Sequence, residues 1–174
     1  MIIYNFNFPI FTPASLVAVA GGVTSGSVIT AIIFPGTNKS FVLLEIDAEG
    51  SGSSSAPATF AIFRTITAAA AGALTTVITG QPTVSLATPP AFTGSAGQGS
   101  FATTQPTLAG AAAFNLSANA NGQRYFWRAN PNINNAFDVP GTATALLNGI
   151  ALVQVTATGT AAIAAQCRIQ IGEI

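Results

Sequence analysis

Short β-branched and aromatic runs, each stopped by glycine or proline, most limit what this chain can fold into. Residues 28–34 (VITAIIF) end at Pro35-Gly36, inside the turn-like PGTNKS of residues 35–40. Residues 41–48 (FVLLEIDA) run into the loop GSGSSSAP at 50–57. Residues 58–67 (ATFAIFRTIT) follow, with Phe60, Ile62, Arg64 and Ile66 on one side, and 75–79 (TTVIT) reads as a further strand. Such runs suit a pleated surface, and the turn formers between them end each one. Alanines at 68–73 (AAAAGA) are too few for an isolated helix, so a loop is expected there. With no long amphipathic helix anywhere, the chain is expected to be all-β, a sandwich or a barrel.

Period-two alternation assigns faces. In residues 41–48, Val42, Leu44, Ile46 and Ala48 are expected on one side, and Phe41, Leu43, Glu45 and Asp47 on the other. The last strand is the cleanest: Ile163, Ala165, Cys167, Ile169 and Ile171 inward, Ala164, Gln166, Arg168 and Gln170 outward. Phe114, Leu116 and Ala118 make a short strand, and Asn121-Gly122 after it is a hairpin-turn signal. Residues 142–158 hold two or three β-like stretches.

At the N-terminus, Phe6, Phe8 and Ile10 alternate with Asn5, Asn7 and Pro9, while Pro9 and Pro13 argue against a central strand. Two readings stay open: an arm that packs on a neighbouring subunit, or an edge strand of the same domain. The expected fold is therefore a single antiparallel β-sandwich, jelly-roll-like, at 21–174, preceded by an arm or edge strand at 1–20. Its loops are long and rich in Gly, Pro and Thr. The longest, at about 80–110, carries Phe92, Phe101 and Leu108 as anchors and is expected to pack as an ordered excursion containing some short strand.

Charge narrows the function. Only 6% of residues are charged and the net charge is +0, against roughly 25% in an ordinary soluble domain. A free monomer of this kind tends to associate, so much of its surface is expected to face other protein. Five cations leave no footprint for nucleic acid or for an anionic membrane. No stretch of about 18 apolar residues suggests a membrane span. SLVAVA at 15–20 resembles a signal-peptide core but has no Lys or Arg before it, so no signal peptide is expected.

The residues offer little chemistry. Histidine is absent, which removes the usual general base, the Ser-His and Cys-His nucleophile systems and the commonest metal ligand. Cys167 lies on the apolar side of its strand and reads as a small buried hydrophobe. Glu45, Asp47 and Glu49 share a strand face. Carboxylates so placed suit glycoside cleavage or Ca²⁺ ligation, but a salt-bridged face with Arg64 or Arg168 as partner accounts for them better. No phosphate loop, dinucleotide fingerprint or zinc spacing occurs. No enzyme and no cofactor is expected.

RYFWRANP, residues 124–131, concentrates rings and charge and holds the single tryptophan. Tyr125, Trp127 and Ala129 alternate with Arg124, Phe126, Arg128 and Asn130. Trp and Arg anchor interfaces, so a core-and-subunit-interface role is expected for Arg124, Tyr125, Trp127 and Arg128, with Phe6 and Phe8 added from the arm. A Trp-Tyr face stacked on a sugar ring is the alternative.

In layout the chain resembles the small all-β virion proteins of tailed phages, capsid decoration (cement) proteins above all. The likeness covers about residues 28–174: the strand FVLLEIDAEG, then GSGSSSAPATFAIFRT, a Gly/Thr/Pro excursion, the aromatic W-R-A-x-P segment from Trp127 to Pro131, and a last strand closing in IGEI. It rests on order and composition rather than on a diagnostic motif. The resemblance implies an oligomer, a trimer first, on the capsid surface, where it ties major capsid proteins together and stabilises an icosahedral head. A carbohydrate- or receptor-binding module of a phage head or tail appendage is the alternative.

Overall fold

Two kinds of strand run through the chain, and each kind builds its own sheet. The computed structural model describes residues 1–11, 27–51, 59–66, 76–83, 90–98, 107–109, 112–117, 121–130, 137–144, 146–155 and 164–174. Among these the strands are β1 (Ile2–Phe11), β2 (Ser27–Phe34), β3 (Phe41–Ser51), β4 (Thr59–Arg64), β5 (Thr76–Val77), β6 (Gln81–Pro82), β7 (Ser95–Gln98), β8 (Phe114–Ser117), β9 (Asn121–Arg128), β10 (Phe137–Val139), β11 (Ile150–Val155) and β12 (Ala164–Glu173). No helix occurs among the described residues, and so none long and apolar enough to cross a membrane.

The first sheet has the order β10-β3-β12-β1-β6, and β9 shares with β10 the far side of β3. The second has the order β5-β7-β2-β11-β4-β8. Every pairing is antiparallel. Four strands of the first half meet four of the second: β1 pairs β12, β2 pairs β11, β3 pairs β9 and β4 pairs β8.

Burial explains the two strand types. A buried cluster joins the sheets, with Tyr4, Phe6, Leu43, Ile46, Ile169 and Ile171 from the first and Ile33, Phe60, Ile62 and Leu152 from the second. Two antiparallel sheets sharing one core are compatible with the expected sandwich. The first sheet keeps a polar outer face, so β1 and β12 alternate. The second is covered on its outer face too: Ile29, Ile32, Phe34, Ala61, Phe63, Ala151 and Val153 form another buried cluster with Leu108, against which Ala112 and Leu146 pack. A sheet buried on both faces needs apolar residues at successive positions, which is why ITAIIF, FAIF and IALV show no alternation.

One strand changes its facing midway. The register of β12 on β3 shifts between Gln170 and Ile171, which face Glu45 and Leu43 and leave Leu44 as the extra residue. This bulge corrects the simple alternation expected for 41–48. Phe41 and Leu43 join the core on the same side as Ile46 and Ala48, and Val42 lies outside that cluster. An inserted residue swaps the faces beyond it.

The N-terminal segment is a strand of this same sheet. From Ile2↔Glu173 to Phe8↔Cys167 it pairs continuously with β12, then the register shifts before Phe11. Pro9 sits at that irregularity, where a residue without N–H is tolerated. Phe6 and Phe8 are buried, whereas Ile10, within the irregular stretch between Phe8 and Phe11, is exposed. The short β6 flanks β1 at Tyr4 and Asn5 only.

The 80–110 excursion packs on the domain where it is described. It supplies β6 and β7, places Phe92 against Tyr4 and Phe6 at ring distances of 5.4 and 5.1 Å, and buries Leu108, bridged to Thr65. Phe101, AAAAGA, SLVAVA, Pro13 and residues 52–57 lie outside the described residues, as do Ala118 and Ile163. Asn121-Gly122 is not a described hairpin turn: both residues belong to β9, and β8 and β9 stand in different sheets. Of the stretches expected in 142–158, β11 is the one strand among the described residues. PGTNKS is a turn as expected, with the Lys39 N–H bonded to the Gly36 carbonyl at 3.0 Å and Asn38 left-handed at φ 56.

Phe6 lies at the centre of the shared core, so Phe6→Ala should cost about 3–5 kcal/mol. The shift of the urea unfolding midpoint measures it.

Candidate functional site

The outer face of the first sheet gathers most of the charge in the protein. On β3, Glu45, Asp47 and Glu49 point outward together, as their spacing predicts. On β9, Arg124, Phe126 and Arg128 do the same, and the two columns are neighbours: Glu45 faces Arg128, Asp47 faces Phe126 and Glu49 faces Arg124. From the other side, β12 sets Gln166, Arg168 and Gln170 opposite Glu49, Asp47 and Glu45. Three of the five basic and three of the five acidic residues thus lie on one face.

The pairs formed are both direct and diagonal. Arg124 makes a two-pronged contact with Asp47, Nε to Oδ1 at 2.6 Å and Nη2 to Oδ2. Arg128 donates Nε to Glu45 Oε2 at 2.9 Å and a second bond from Nη2. Arg168 donates to Glu45 Oε1 and lies 4.0 Å from Asp47. Gln166 donates to Glu49 at 3.0 Å, and Gln170 to Asn5 at 3.0 Å. Glu45 is only 2% exposed. Burying a carboxylate costs several kcal/mol unless it is paired and hydrogen-bonded, and two guanidinia meet that condition here. The expected partner Arg168 is one of them. Arg64 is not: it donates to the Asp138 carbonyl at 2.6 Å and lies 4.1 Å from the Phe137 ring centroid.

Electrostatics follow from these contacts. Hydrogen bonding from Arg124 holds the Asp47 carboxyl below its usual range, against the opposing effect of burial, and the charges of Arg124 and Arg168 add to it. A carboxyl so held is the opposite of a proton donor poised near neutral pH. Burial pushes the Cys167 thiol far up, so its thiolate is not accessible. Tyr4 is raised by burial and then by Glu173, and it donates to the Ala91 carbonyl at 3.2 Å. Among the described residues no group of three or more Cys, Asp and Glu is placed to hold a metal ion.

The residues expected to form one interface divide between core and surface. Phe6 and Phe8 are core residues. Tyr125 is buried, 5.7 Å from the Phe60 ring, and Trp127 is half-buried against the same cluster. The Trp-Tyr platform imagined for a sugar therefore faces inward. Arg124 and Arg128 are exposed on the outer face, and between them stands Phe126, 55% exposed, with the Arg128 guanidinium 5.4 Å from its ring centroid. Phe126 was not singled out in the sequence, although alternation in RYFWR already places it beside the two arginines.

Next to this ladder the face dips into an open depression of about 390 Å³. Asn7, Asp47, Glu49, Arg124, Gln166 and Arg168 are among its lining residues. No protein-family model, curated protein or solved structure matches the chain.

Two outcomes are expected. Arg128→Ala or Arg168→Ala alone leaves Glu45 one guanidinium and should cost under about 1 kcal/mol. Together they strand a buried carboxylate, and the double variant should lose about 3 kcal/mol, more than the sum. A double-mutant cycle in urea reads this. Separately, a carboxyl lowered in the folded state stabilises above its unfolded pKa and loses that contribution as pH falls through the folded value. The stability gap between wild type and Asp47→Asn should therefore be full at neutral pH and close below 3.8, the ordinary Asp value, as followed by urea midpoints across pH.

Proposed function

We propose that this chain is a structural virion protein, a decoration or cement protein of jelly-roll type that stabilises an icosahedral phage head by bridging major capsid proteins. The observation that carries the reading is the strand order. The lanes β9-β3-β12-β1 and β2-β11-β4-β8, with the four out-and-back pairs between them, follow the path of an eight-strand ribbon folded over on itself. This order supports the reading as a double-sheet jelly roll, a plan found in viral capsid and lectin domains. The remaining strands β5, β6, β7 and β10 come from the long connections and extend the sheet edges.

Composition supports the same reading. A chain with 6% charged residues and no net charge suits an interface whose core is depleted in charge. A shell protein needs no acid, base or nucleophile. It works by burying surface across several neighbours, and repetition over a lattice multiplies modest contacts. The proposed unit is a homotrimer on the capsid surface, with the major capsid protein as its partner.

Light scattering after gel filtration tests the assembly. A stable trimer that also co-sediments with capsid shells is expected. A monodisperse monomer that associates with no shell would overturn the proposal.

A further inference from the structure

The charged ladder on the outer face of the first sheet is not neutral where its guanidinia meet. Arg124, Asp47, Arg168, Glu45 and Arg128 form one connected run of contacts, in which two carboxylates hold three guanidinia. Glu49, the third carboxylate of the column, accepts from Gln166 and makes no ion pair among the described residues. Three cations against two anions leave the connected set at +1.

Depth separates the two signs. The side chains of Arg124, Arg128 and Arg168 are 67%, 66% and 46% exposed, while those of Asp47 and Glu45 are 12% and 3% exposed. Anything approaching this face meets guanidinia, with the carboxylates beneath them. Donors also remain. Arg124 and Arg128 bond their carboxylates through Nε and Nη2, and Arg168 through Nη2, so Nη1 of each has no partner among the described residues. A planar guanidinium edge of this kind pairs best with a carboxylate.

An apolar ring stands among these cations. Phe126 lies on β9 between Arg124 and Arg128 and shares their face. The Arg128 guanidinium is 5.4 Å from its ring centroid, and the residue is still 55% exposed. Glu45 and the ring thus hold Arg128 in place from two sides. An aromatic residue flanked by arginines has the composition of an interface hot spot. A surplus of one charge is too little for a phosphate backbone, whose binding grows with the number of phosphates neutralised. A single carboxylate needs no more than that.

We propose that the outer face of β9 docks an acidic segment of a partner protein, which sets carboxylate against the exposed guanidinia and an apolar side chain on Phe126. The inference rests on the reading that this protein works by docking on other protein, and it supplies the chemistry of the partner surface.

The test is an NMR titration of the full chain with the capped peptide acetyl-ETLTE-amide, up to about 10 mM to capture millimolar Kd values. Its two Glu and its Leu share one face when the peptide is extended. Shifts are expected at Arg124, Phe126 and Arg128. Affinity should fall about tenfold for the QTLTQ peptide, and about tenfold for ETLTE in Arg128→Ala or Phe126→Ala. Arg128→Ala leaves Glu45 its Arg168 partner, and it carries the test should Phe126→Ala not fold. No shift with ETLTE, equal affinity for QTLTQ, or unchanged affinity in both alanine variants would overturn the proposal. So would equal shifts with sodium acetate at matched carboxylate, tighter binding of a dT oligonucleotide, or the same shifts on concentrating the protein alone, which would put a free anion, a nucleic acid or a second copy on this face. Co-sedimentation with capsid shells reads the other proposal separately. A chain that binds ETLTE but no shell keeps the acidic site and loses the shell. Shell binding unchanged in both alanine variants keeps the shell and removes this face from it.

Discussion

Strand β3 is the element on which the rest of the structure depends. It pairs with β12 along its whole length on one side, and with β10 and β9 in succession on the other. The Leu44 bulge lets this single strand do two things. Its first half buries Phe41 and Leu43, its second half buries Ile46 and Ala48, and Glu45, Asp47 and Glu49 still project to the outer face. With Leu44 held in regular alternation instead of bulged out, either Phe41 and Leu43 would lie in water or the carboxylates in the core. The ladder of arginines then follows, because an acidic column on a central strand is stable only where its neighbours supply donors.

The low charge of the chain has an internal account as well as an external one. The second sheet is buried on both faces, so its central strands use apolar residues at nearly every position. The few charges are concentrated on the one solvated sheet face, where they largely neutralise one another. A protein built this way has little charge to spare for its remaining surface. This is the physical link between the fold and a life in contact with other subunits, as proposed.

Much of the fold was legible in the chain. The inward and outward sets of β12 and the β2 and β4 runs are where the pattern put them, and the carboxylates share a face because side-chain direction in a strand has a period of two. The anchors Phe92 and Leu108 were legible for the same elementary reason: isolated apolar residues in a polar loop need somewhere to pack. Less was legible at the site. The Arg124–Asp47 contact joins residues 77 positions apart, and nothing local to RYFWR or LEIDAE says that these strands are neighbours. Phe126 stands between Tyr125 and Trp127 in an alternating segment. Its exposure became meaningful only once Tyr125 and Trp127 were seen to face the core.

What the sequence by itself determined is what short-range physics controls: strand-forming runs, their glycine and proline ends, the faces along regular strands, and the lack of histidine chemistry. Only the tertiary structure decided which strands pair, where a bulge reverses the facing, and that the N-terminal segment joins the last strand. Those outcomes depend on contacts between distant residues. Their energies come from burying two sheets against each other and from matching one strand's charges to another's, and no local pattern encodes that sum.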